Sequence, residues 1–420
     1  MSAIVRNNSN YSLIWDYILV FLLVATSGIV FFYSNEEYIA IGLIISLAIF
    51  FKRGMLGKID LKFILILSIF ILGEVIQSFY FQSFSLKSVI GTFGRFAFAY
   101  VVIKSVGERF IDKYINLIYF LSIISLVFYI LFFFPSITNK LVSIAIKDSL
   151  FPSKNQFYQM SPNFILITFN GYQQLRNSGP FWEPGAFSVF LNIALLLNIL
   201  VKNKIADKKN IVFIITVITT LSTAGFLTLF FIISAVYFFL RPSLKKVFVL
   251  APMIILFTVL IINIPFLLPK IKDNVIIAEN DNSSRFGSAL SDYELIYENP
   301  ILGYGRDIGN MYNTSNWNIK KMHRNNGITN FVTQWGIIIF VIYFYNYKKS
   351  ADSICIYYKS NKSLSFIFLI SMILLGFSQG LFQYPFFHAL IFLQFSYSLI
   401  ETVSLVKESQ DVRPIREITN

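Results

Sequence analysis

The chain has 420 residues, of which 56% are apolar and only 14% are charged, against roughly 25% charged residues in an ordinary soluble protein. The single cysteine, Cys355, excludes a disulfide framework and a zinc knuckle. Apolar runs of about 18 or more residues recur along almost the whole chain, each long enough to cross a hydrocarbon core of roughly 30 Å. The composition therefore excludes a soluble globular protein and predicts an all-α polytopic membrane protein.

Apolar runs separated by charged residues predict about twelve transmembrane helices in three groups, with two long loops between the groups and a polar tail. In order, these regions are helices 1–5 (1–134), the first loop (135–184), helices 6–9 (185–267), the second loop (268–326), helices 10–12 (327–406) and a disordered tail (407–420). The spans are expected near 13–33, 38–51, 61–81, 86–106, 114–134, 185–201, 211–223, 226–240, 247–267, 327–346, 364–382 and 386–406.

The run 211–240 has two interpretations. The sequence Ser-Thr-Ala-Gly at 222–225 predicts a tight external turn between two short spans. One long tilted helix is the alternative, and it would reverse the orientation of every later segment.

The basic residues predict the orientation of the chain. With the N-terminus inside, 21 of the 35 lysines and arginines fall in cytoplasmic segments, as the positive-inside tendency of short loops requires. Both termini are then cytoplasmic, and the two long loops are extracytoplasmic. The net charge of +13 is mostly a signal of topology, so we expect no nucleic-acid partner.

The first long loop ends in the motif Arg-x-Ser-Gly-Pro-Phe-Trp-Glu-Pro-Gly, which starts at Arg176. Pro184 suits the first position of the next helix and places Glu183 at its cap, where the helix dipole favours an anion. A carboxylate held beside Trp182 at the outer membrane face could also serve as a general base. The sequence leaves both interpretations open.

The second long loop contains a predicted helix. Apolar residues recur at helical spacing from Phe286 to Tyr297, with Ser283 or Ser284 as cap and Pro300 as stop. We expect an amphipathic helix that lies on the outer surface of the bundle.

Several arginines in these loops lie on one side of the membrane. A guanidinium group binds phosphate oxygens in pairs and stays charged at any accessible pH, so such a set suits a diphosphate. Contact with lipid headgroups, or ion pairing within the loops, is the alternative. The candidate substrate-binding and catalytic residues of the loops are Arg176, Trp182, Glu183, Arg285, Tyr304, Arg306, His323, Arg324, Asn325 and Asn326.

Two ionisable residues, Glu74 and Arg95, lie inside predicted spans, roughly 10–14 Å below the outer surface. Burial of an unpaired arginine costs about 2.5–3.5 kcal/mol or more, so each residue should face the bundle interior, a partner or a wet cavity. The two could pair with each other, or Arg95 could bind a substrate phosphate. His388, in an aromatic setting, is expected to be a packed histidine.

Common cofactor signatures are missing from the sequence. It contains no Gly-Lys-Ser/Thr phosphate loop, no His-Glu-x-x-His and no paired-aspartate metal motif. We therefore expect neither a metal site nor another cofactor.

The order of the motifs resembles the bacterial O-antigen polymerase and O-antigen ligase superfamily over roughly 170–345. The resemblance implies a glycosyltransferase of GT-C-like architecture in the inner (cytoplasmic) membrane. Its extracytoplasmic active site would take glycans from undecaprenyl diphosphate carriers, among membrane lipids and with a flippase and a chain-length regulator as possible partners. The matching pieces are Arg176 to Phe187, Leu221-Ser222-Thr223-Ala224-Gly225, Ser284-Arg285, Asn299-Pro300-Ile301-Leu302-Gly303-Tyr304-Gly305, and Asn325-Asn326 ten residues before Trp335-Gly336-Ile337.

The resemblance favours a polymerase over a ligase. Ligases of the superfamily typically show a His-Asn pair in the register that Asn325 and Asn326 occupy here, whereas His323 lies two residues upstream. Arginines would then hold the diphosphate, and Glu183 or His323 would take the proton of the attacking hydroxyl. A ligase is the alternative of the same class, and a transporter of lipid-linked or small molecules is the alternative of another class.

Overall fold

The computed structural model describes residues 2–33, 35–55, 57, 59–151, 160–170, 172–240, 285–307, 309–311 and 326–397. In these ranges the chain is helical, with three isolated β-bridges and no strand, which confirms the all-α class there. The α-helices are α1 Ser2–Gly28, α2 Glu36–Lys52, α3 Leu61–Tyr80, α4 Leu86–Val106, α5 Phe110–Leu131, α6 Pro135–Ile144, α7 Pro184–Lys202, α8 Lys208–Thr220, α9 Thr223–Leu240, α10 Arg285–Glu298, α11 Gly327–Tyr357, α12 Ser363–Ser378, α13 Pro385–Phe392 and α14 Gln394–Tyr397.

The described helices support a membrane protein but do not confirm twelve spans. The predicted span 247–267 and the tail 407–420 lie outside the described residues, as does the end of the predicted span 386–406. Among the described residues, four stretches are long and apolar enough to cross a membrane: Leu61–Tyr80, Leu86–Leu131, Pro184–Lys202 and Gly327–Tyr357. Three apolar helices are shorter: Leu13–Gly28, Thr223–Phe239 and Ser363–Ser378.

The predicted turn within 211–240 is present. Helix α8 ends at Thr220, Leu221 takes a left-handed conformation with φ 48°, and α9 begins at Thr223. One long helix across this run is therefore excluded.

Two later helices differ from the predicted spans. Helix α11 continues to Tyr357 instead of ending near 346, and an i,i+4 ion pair of 2.7 Å between Lys348 and Asp352 supports its polar extension. The predicted span 386–406 is interrupted at Leu393, between α13 and α14, in its described part.

Helix α7 forms the centre of the fold. All of its residues from Pro184 to Leu200 are buried. Its apolar window is 94% buried, against 33 to 44% in the other three long stretches, and it packs against α5, α8 and α9. A helix that is apolar all round is stable only when other elements surround it, so the N-terminus of α7, which follows Glu183, is held by neighbours on every side.

The connections between helices collect at two ends of the bundle. At one end the buried carboxylate of Asp16 pairs with Arg53 (2.9 Å) and Arg109 (3.0 Å). Both arginines belong to segments that the charge pattern predicts to be cytoplasmic. The opposite end collects the described parts of the two long loops and the connection 379–384 between α12 and α13.

Helix α10 has the predicted position but an unexpected orientation. It begins at Arg285 and ends at Glu298, and its buried side consists mainly of small and polar residues such as Ser288 and Asp292. Asp292 accepts a hydrogen bond of 2.6 Å from the hydroxyl of Thr329 on α11. The side chains of Leu290 and Tyr293 are 59% and 66% exposed. The helix thus packs through its small residues and directs its apolar face away from the bundle.

Helix α11 is broken at Gly336, where φ is 73° and ψ is 168°. The segment 300–305 fills the break and pairs with peptide groups that a continuous helix would pair internally. The three hydrogen bonds run from Tyr304 N–H to Thr333 O (2.8 Å), from Gly305 N–H to Gln334 O (2.9 Å) and from Ile337 N–H to Pro300 O (2.8 Å).

Glycine is required at this junction. A Cβ atom on Gly336 would lie 1.9 Å from Ile301 O, and a Cβ atom on Gly303 would lie 2.6 Å from the nitrogen of Gly336. The motif that includes Gly303 and the motif that includes Gly336 are 33 residues apart in the sequence, and in the structure they form one contact.

We expect Gly336→Ala to lower the unfolding free energy by about 2 kcal/mol or more, because alanine is strained at a positive φ and its Cβ collides with Ile301. Thermal unfolding of the purified protein in detergent measures the effect. Gly57→Ala is the control, since no atom lies within 4 Å of its added Cβ. Equal stability of both variants would contradict the close approach of the segment 300–305 to α11.

The orientation of the two ends can be tested with cysteines in a Cys355→Ser background, since Cys355 itself is buried. In right-side-out spheroplasts we expect an impermeant maleimide to label Lys147→Cys, and to label Lys362→Cys only after lysis. Both positions are exposed and lie at opposite ends. The reversed pattern would invert the predicted topology, and the labelling of both before lysis would rule out a membrane barrier between them.

Candidate functional site: an acidic residue near two arginines, and an adjacent cleft

Glu183 occupies the cap position that Pro184 predicts, but its carboxylate does not cap the helix. The residue precedes α7 in an extended conformation, and its side chain makes no hydrogen bond to the helix N-terminus. Its Oε1 atom instead accepts a hydrogen bond from Nε2 of Gln379. A Cβ atom on Gly185 would lie 2.9 Å from Glu183 Oε1 and 2.7 Å from Gln379 Nε2, so the glycine leaves the room that this contact needs.

Arg176 lies against the end of helix α8. Its Nε and Nη2 atoms donate to the carbonyl oxygens of Thr220 (3.3 Å) and Leu221 (3.4 Å), which lack partners within a helix. Burial lowers the pKa of Arg176, the carboxylate of Glu183 raises this pKa, and the nearby charge of Arg285 lowers it. Arg176 therefore stabilises the α8 terminus and also interacts electrostatically with Glu183 and Arg285.

Arg285 is the first residue of α10 and completes the group. Burial lowers the pKa of Arg285, and Glu183 raises it. Arg176 and Glu183 from the first long loop and Arg285 from the second are thus near enough for their charges to interact. We call Arg176, Glu183, Arg285 and Gln379 the Glu183 cluster.

Trp182 forms an aromatic wall beside this cluster. Its ring stacks on Tyr33 at a centroid distance of 4.3 Å and lies 6.0 Å from the ring of Tyr384. The hydroxyl of Tyr384 donates to the hydroxyl of Tyr33 at 2.7 Å, and the carbonyl of Trp182 accepts a hydrogen bond from Asn170. Ring stacking on Tyr33 and the hydrogen bond from Asn170 therefore hold Trp182 in a defined position.

A second group of residues, which includes the predicted Arg95 and Arg306, lines a narrow cleft between α3, α4, α11 and α13, with about 30 Å³ of water-accessible volume. We call it the arginine cleft because Arg95 and Arg306 both face it. The full lining is Phe70, Thr92, Arg95, Phe96, Arg306, Gly327, Asn330, Phe331, Gln334, Trp335, Gly380, Phe382, Gln383 and His388.

Arg95 does not pair with Glu74, the partner that their similar depth suggested. Its Nη2 atom donates to Glu36 at the start of α2, at 3.1 Å. Glu74 instead accepts a hydrogen bond from the hydroxyl of Ser88. The helices are rotated so that these two side chains of similar depth meet different neighbours.

Arg306 follows the segment that fills the break in α11, and it reaches down to α4. Its Nη1 atom donates to the hydroxyl of Thr92 at 2.9 Å. Burial lowers the pKa of Arg306 to about 10, Arg95 contributes to this decrease, and Glu74 and Glu36 oppose it. The two guanidinium groups of the cleft are thus close enough to repel each other.

His388 is packed, as expected, and it also belongs to the cleft. Its ring stacks on Phe96 at 4.0 Å, and Nδ1 shares a hydrogen bond of 2.9 Å with the hydroxyl of Tyr343. The position of this histidine beside the arginines could not be predicted, because the three residues come from three different segments.

The connection 379–384 was not singled out from the sequence, yet it touches both groups. Gln379 binds Glu183, whereas Gly380 and Gln383 line the arginine cleft. In the sequence, the connection is distinguished by two glutamines, Gln379 and Gln383, between apolar spans, and these glutamines match no known motif.

Of the other candidate residues, Tyr304 and Asn326 have structural roles, and three lie outside the described residues. Tyr304 is fully buried and donates from its hydroxyl to Glu298 at 2.6 Å. Asn326 is the N-cap of α11, where its Oδ1 accepts from the backbone of Ile328 and Thr329 at 3.1 Å each. The candidates His323, Arg324 and Asn325 lie outside the described residues. The described part of the chain holds no group of three or more histidines, cysteines or acidic residues arranged for a metal ion.

No family model, curated protein or solved structure matches this chain. The chemistry of the Glu183 cluster and of the arginine cleft is therefore the basis for a functional assignment.

We expect Asn326→Ala to lower the unfolding free energy by about 0.5–2 kcal/mol, because it removes the α11 cap. Asn326→Ser should restore most of the stability, since a serine hydroxyl also caps a helix. Denaturant unfolding of the purified variants makes this comparison. If both variants were as stable as the parent protein, the cap would be unimportant and a role for Asn326 at the substrate would gain support.

Proposed function

We propose that the protein polymerises oligosaccharide repeat units carried on undecaprenyl diphosphate into an O-antigen or capsular-type polysaccharide, at the extracytoplasmic face of the cytoplasmic membrane. The hydroxyl of a sugar on one carrier attacks the anomeric carbon of the chain on a second carrier. A glycosidic bond forms, the bond from that carbon to the diphosphate breaks, and undecaprenyl diphosphate leaves with the bonding electrons. The observation that carries the proposal is the grouping of Arg176, Glu183 and Arg285 at one end of the bundle.

Glu183 has the chemistry of the general base. Gln379 engages its Oε1 atom, while Oε2 has no hydrogen-bond partner among the described residues. This oxygen is therefore available to take the proton of the attacking hydroxyl. The buried start of α7 and the close packing around Gly185 hold the carboxylate in one place, as a positioned base requires.

Arg176 and Arg285 have the chemistry of the diphosphate site. Negative charge grows on the leaving diphosphate as its bond to the sugar breaks, and guanidinium groups that are already in place stabilise this charge without further reorganisation. Both arginines are partly buried, which strengthens their electrostatic effect relative to a fully exposed group. Because Arg176 also caps α8, its replacement would affect both stability and activity.

One observation favours the transporter alternative. Transporters bind substrates at discontinuous helices, and α11 is broken at Gly336. However, the segment 300–305 fills this break and pairs the exposed peptide groups, so the break offers those groups to no ion or substrate.

A ligase uses the same donor as a polymerase and differs in its acceptor. A deletion strain distinguishes the two functions. Polymer that accumulates on the carrier lipid would indicate a ligase, whereas loss of all long chains indicates a polymerase.

We expect Glu183→Gln to lower the rate of chain synthesis by about 10²–10⁴-fold, the usual effect of losing a general base, with near-normal amounts of protein. The assay is chain length over time with purified protein in liposomes that contain lipid-linked repeats. Glu37→Gln is the control, because Glu37 is exposed at the same end of the bundle, and we expect its rate to stay close to that of the parent protein.

Two results would contradict parts of the proposal. Near-normal synthesis by Glu183→Gln would assign Glu183 to structure alone. The absence of any longer glycan with the parent protein, under conditions where the substrates are intact, would overturn the polymerase function.

A further inference from the structure

The arginine cleft brings two guanidinium groups to one point on helix α4. A Cβ atom on Gly91 would lie 3.0 Å from Nη1 of Arg95 and 3.8 Å from Nη1 of Arg306. The two nitrogens are therefore no more than 6.8 Å apart, the sum of these distances. An anion with two oxygens, each accepting at about 2.8 Å, can bridge nitrogens at such a separation.

One of these nitrogens needs an acceptor. Nη1 of Arg95 is buried and has no hydrogen-bond partner among the described residues. A buried donor without a partner is unfavourable and commonly indicates a water, an ion or a ligand. Arg95 cannot turn away freely, because Glu36 holds its Nη2 atom.

Both positive groups face the cleft, whereas the carboxylates near them do not. Glu36 and Glu74 interact with the arginines but are not part of the lining, and the described residues that form the cleft include no acidic side chain. The cleft therefore exposes guanidinium N–H groups on its inner surface, while the two carboxylates balance their charge from outside the lining.

The remaining lining is aromatic and polar. Trp335 and four phenylalanines are each 6% exposed or less, so their rings pack against neighbouring residues and enclose the cleft. Asn330, Gln334 and Gln383 add amide groups, which can both donate and accept hydrogen bonds.

We propose that the arginine cleft is a second anion-binding site, distinct from the Glu183 cluster, which holds a phosphate or diphosphate group of a lipid-linked glycan whose sugar lies outside the cleft. The inference rests on the proposed function, because a polymerase has to hold two lipid diphosphates at once. The connection 379–384 lies between the two sites, so two carriers bound there would meet across one short segment.

Titration calorimetry tests the site. It measures the binding of inorganic pyrophosphate to the purified full-length protein in phosphatidylcholine nanodiscs. We expect two pyrophosphate sites in the parent protein, and we expect Arg306→Gln to weaken one of them roughly tenfold or more, as the loss of a charge-assisted hydrogen bond implies. Gly91→Leu should have a similar effect, because its side chain would occupy the space between the two arginines without removing a charge. Gly94→Leu is the matched control on the same helix, since no atom lies within 4 Å of its added Cβ.

The outcomes separate this inference from the proposed function. Loss of one of two pyrophosphate sites in Arg306→Gln and Gly91→Leu, with retention of both in Gly94→Leu, supports the inference even if no polymer is ever made. Loss only in the double variant Arg176→Gln/Arg285→Gln would place the anion at the Glu183 cluster and overturn the inference, while the polymerase function would stand. Should Arg306→Gln fold poorly, Gly91→Leu still decides, because it retains both arginines.

A second arm distinguishes the source of the phosphate. If nanodiscs of phosphatidylglycerol abolish pyrophosphate binding at the cleft, the site accepts a lipid headgroup and the assignment to a sugar diphosphate is wrong. If pyrophosphate and a soluble sugar diphosphate bind equally well in both kinds of nanodisc and compete with each other, the assignment to a sugar-linked diphosphate is supported.

Discussion

The structure depends on the insertion of the segment 300–305 into the break of helix α11. Within a membrane an unpaired peptide group costs several kcal/mol, so a helix can break at Gly336 only where other groups replace its lost hydrogen bonds. Tyr304, Gly305 and Pro300 supply these replacements. Because Arg306 follows directly, the same insertion carries its guanidinium group down to Thr92. A loop motif and a helix motif thereby form one rigid junction at the edge of the cleft.

The burial of α7 has a comparable effect on the other site. A helix enclosed on every side cannot rotate or slide without disturbing its neighbours, so Glu183 at its start has a defined position. Arg176 belongs to the preceding loop and binds the end of α8. Its interaction with Glu183 is then set by how α7 and α8 pack, which makes the charged cluster a product of the bundle as a whole.

The two sites also share a boundary. The connection 379–384 presents Gln379 to Glu183 and Gln383 to the arginine cleft, and the ring of Tyr384 lies near Trp182. The same short segment therefore forms part of the surroundings of both the Glu183 cluster and the arginine cleft.

The sequence by itself determined the features that depend on local interactions. Hydropathy predicts the helical membrane class, Pro184 marks the start of α7, Pro300 stops α10, and the arginines and Glu183 emerge as candidates from their types and positions. Tertiary structure decided which of these side chains meet. It paired Arg95 with Glu36 instead of Glu74, brought His388 beside two arginines, placed Gln379 on Glu183 and turned the apolar face of α10 outward. The physical reason is that hydropathy and spacing give the depth of a residue along a helix, whereas its partners depend on the rotation of each helix about its axis, which only the packing of the whole bundle sets.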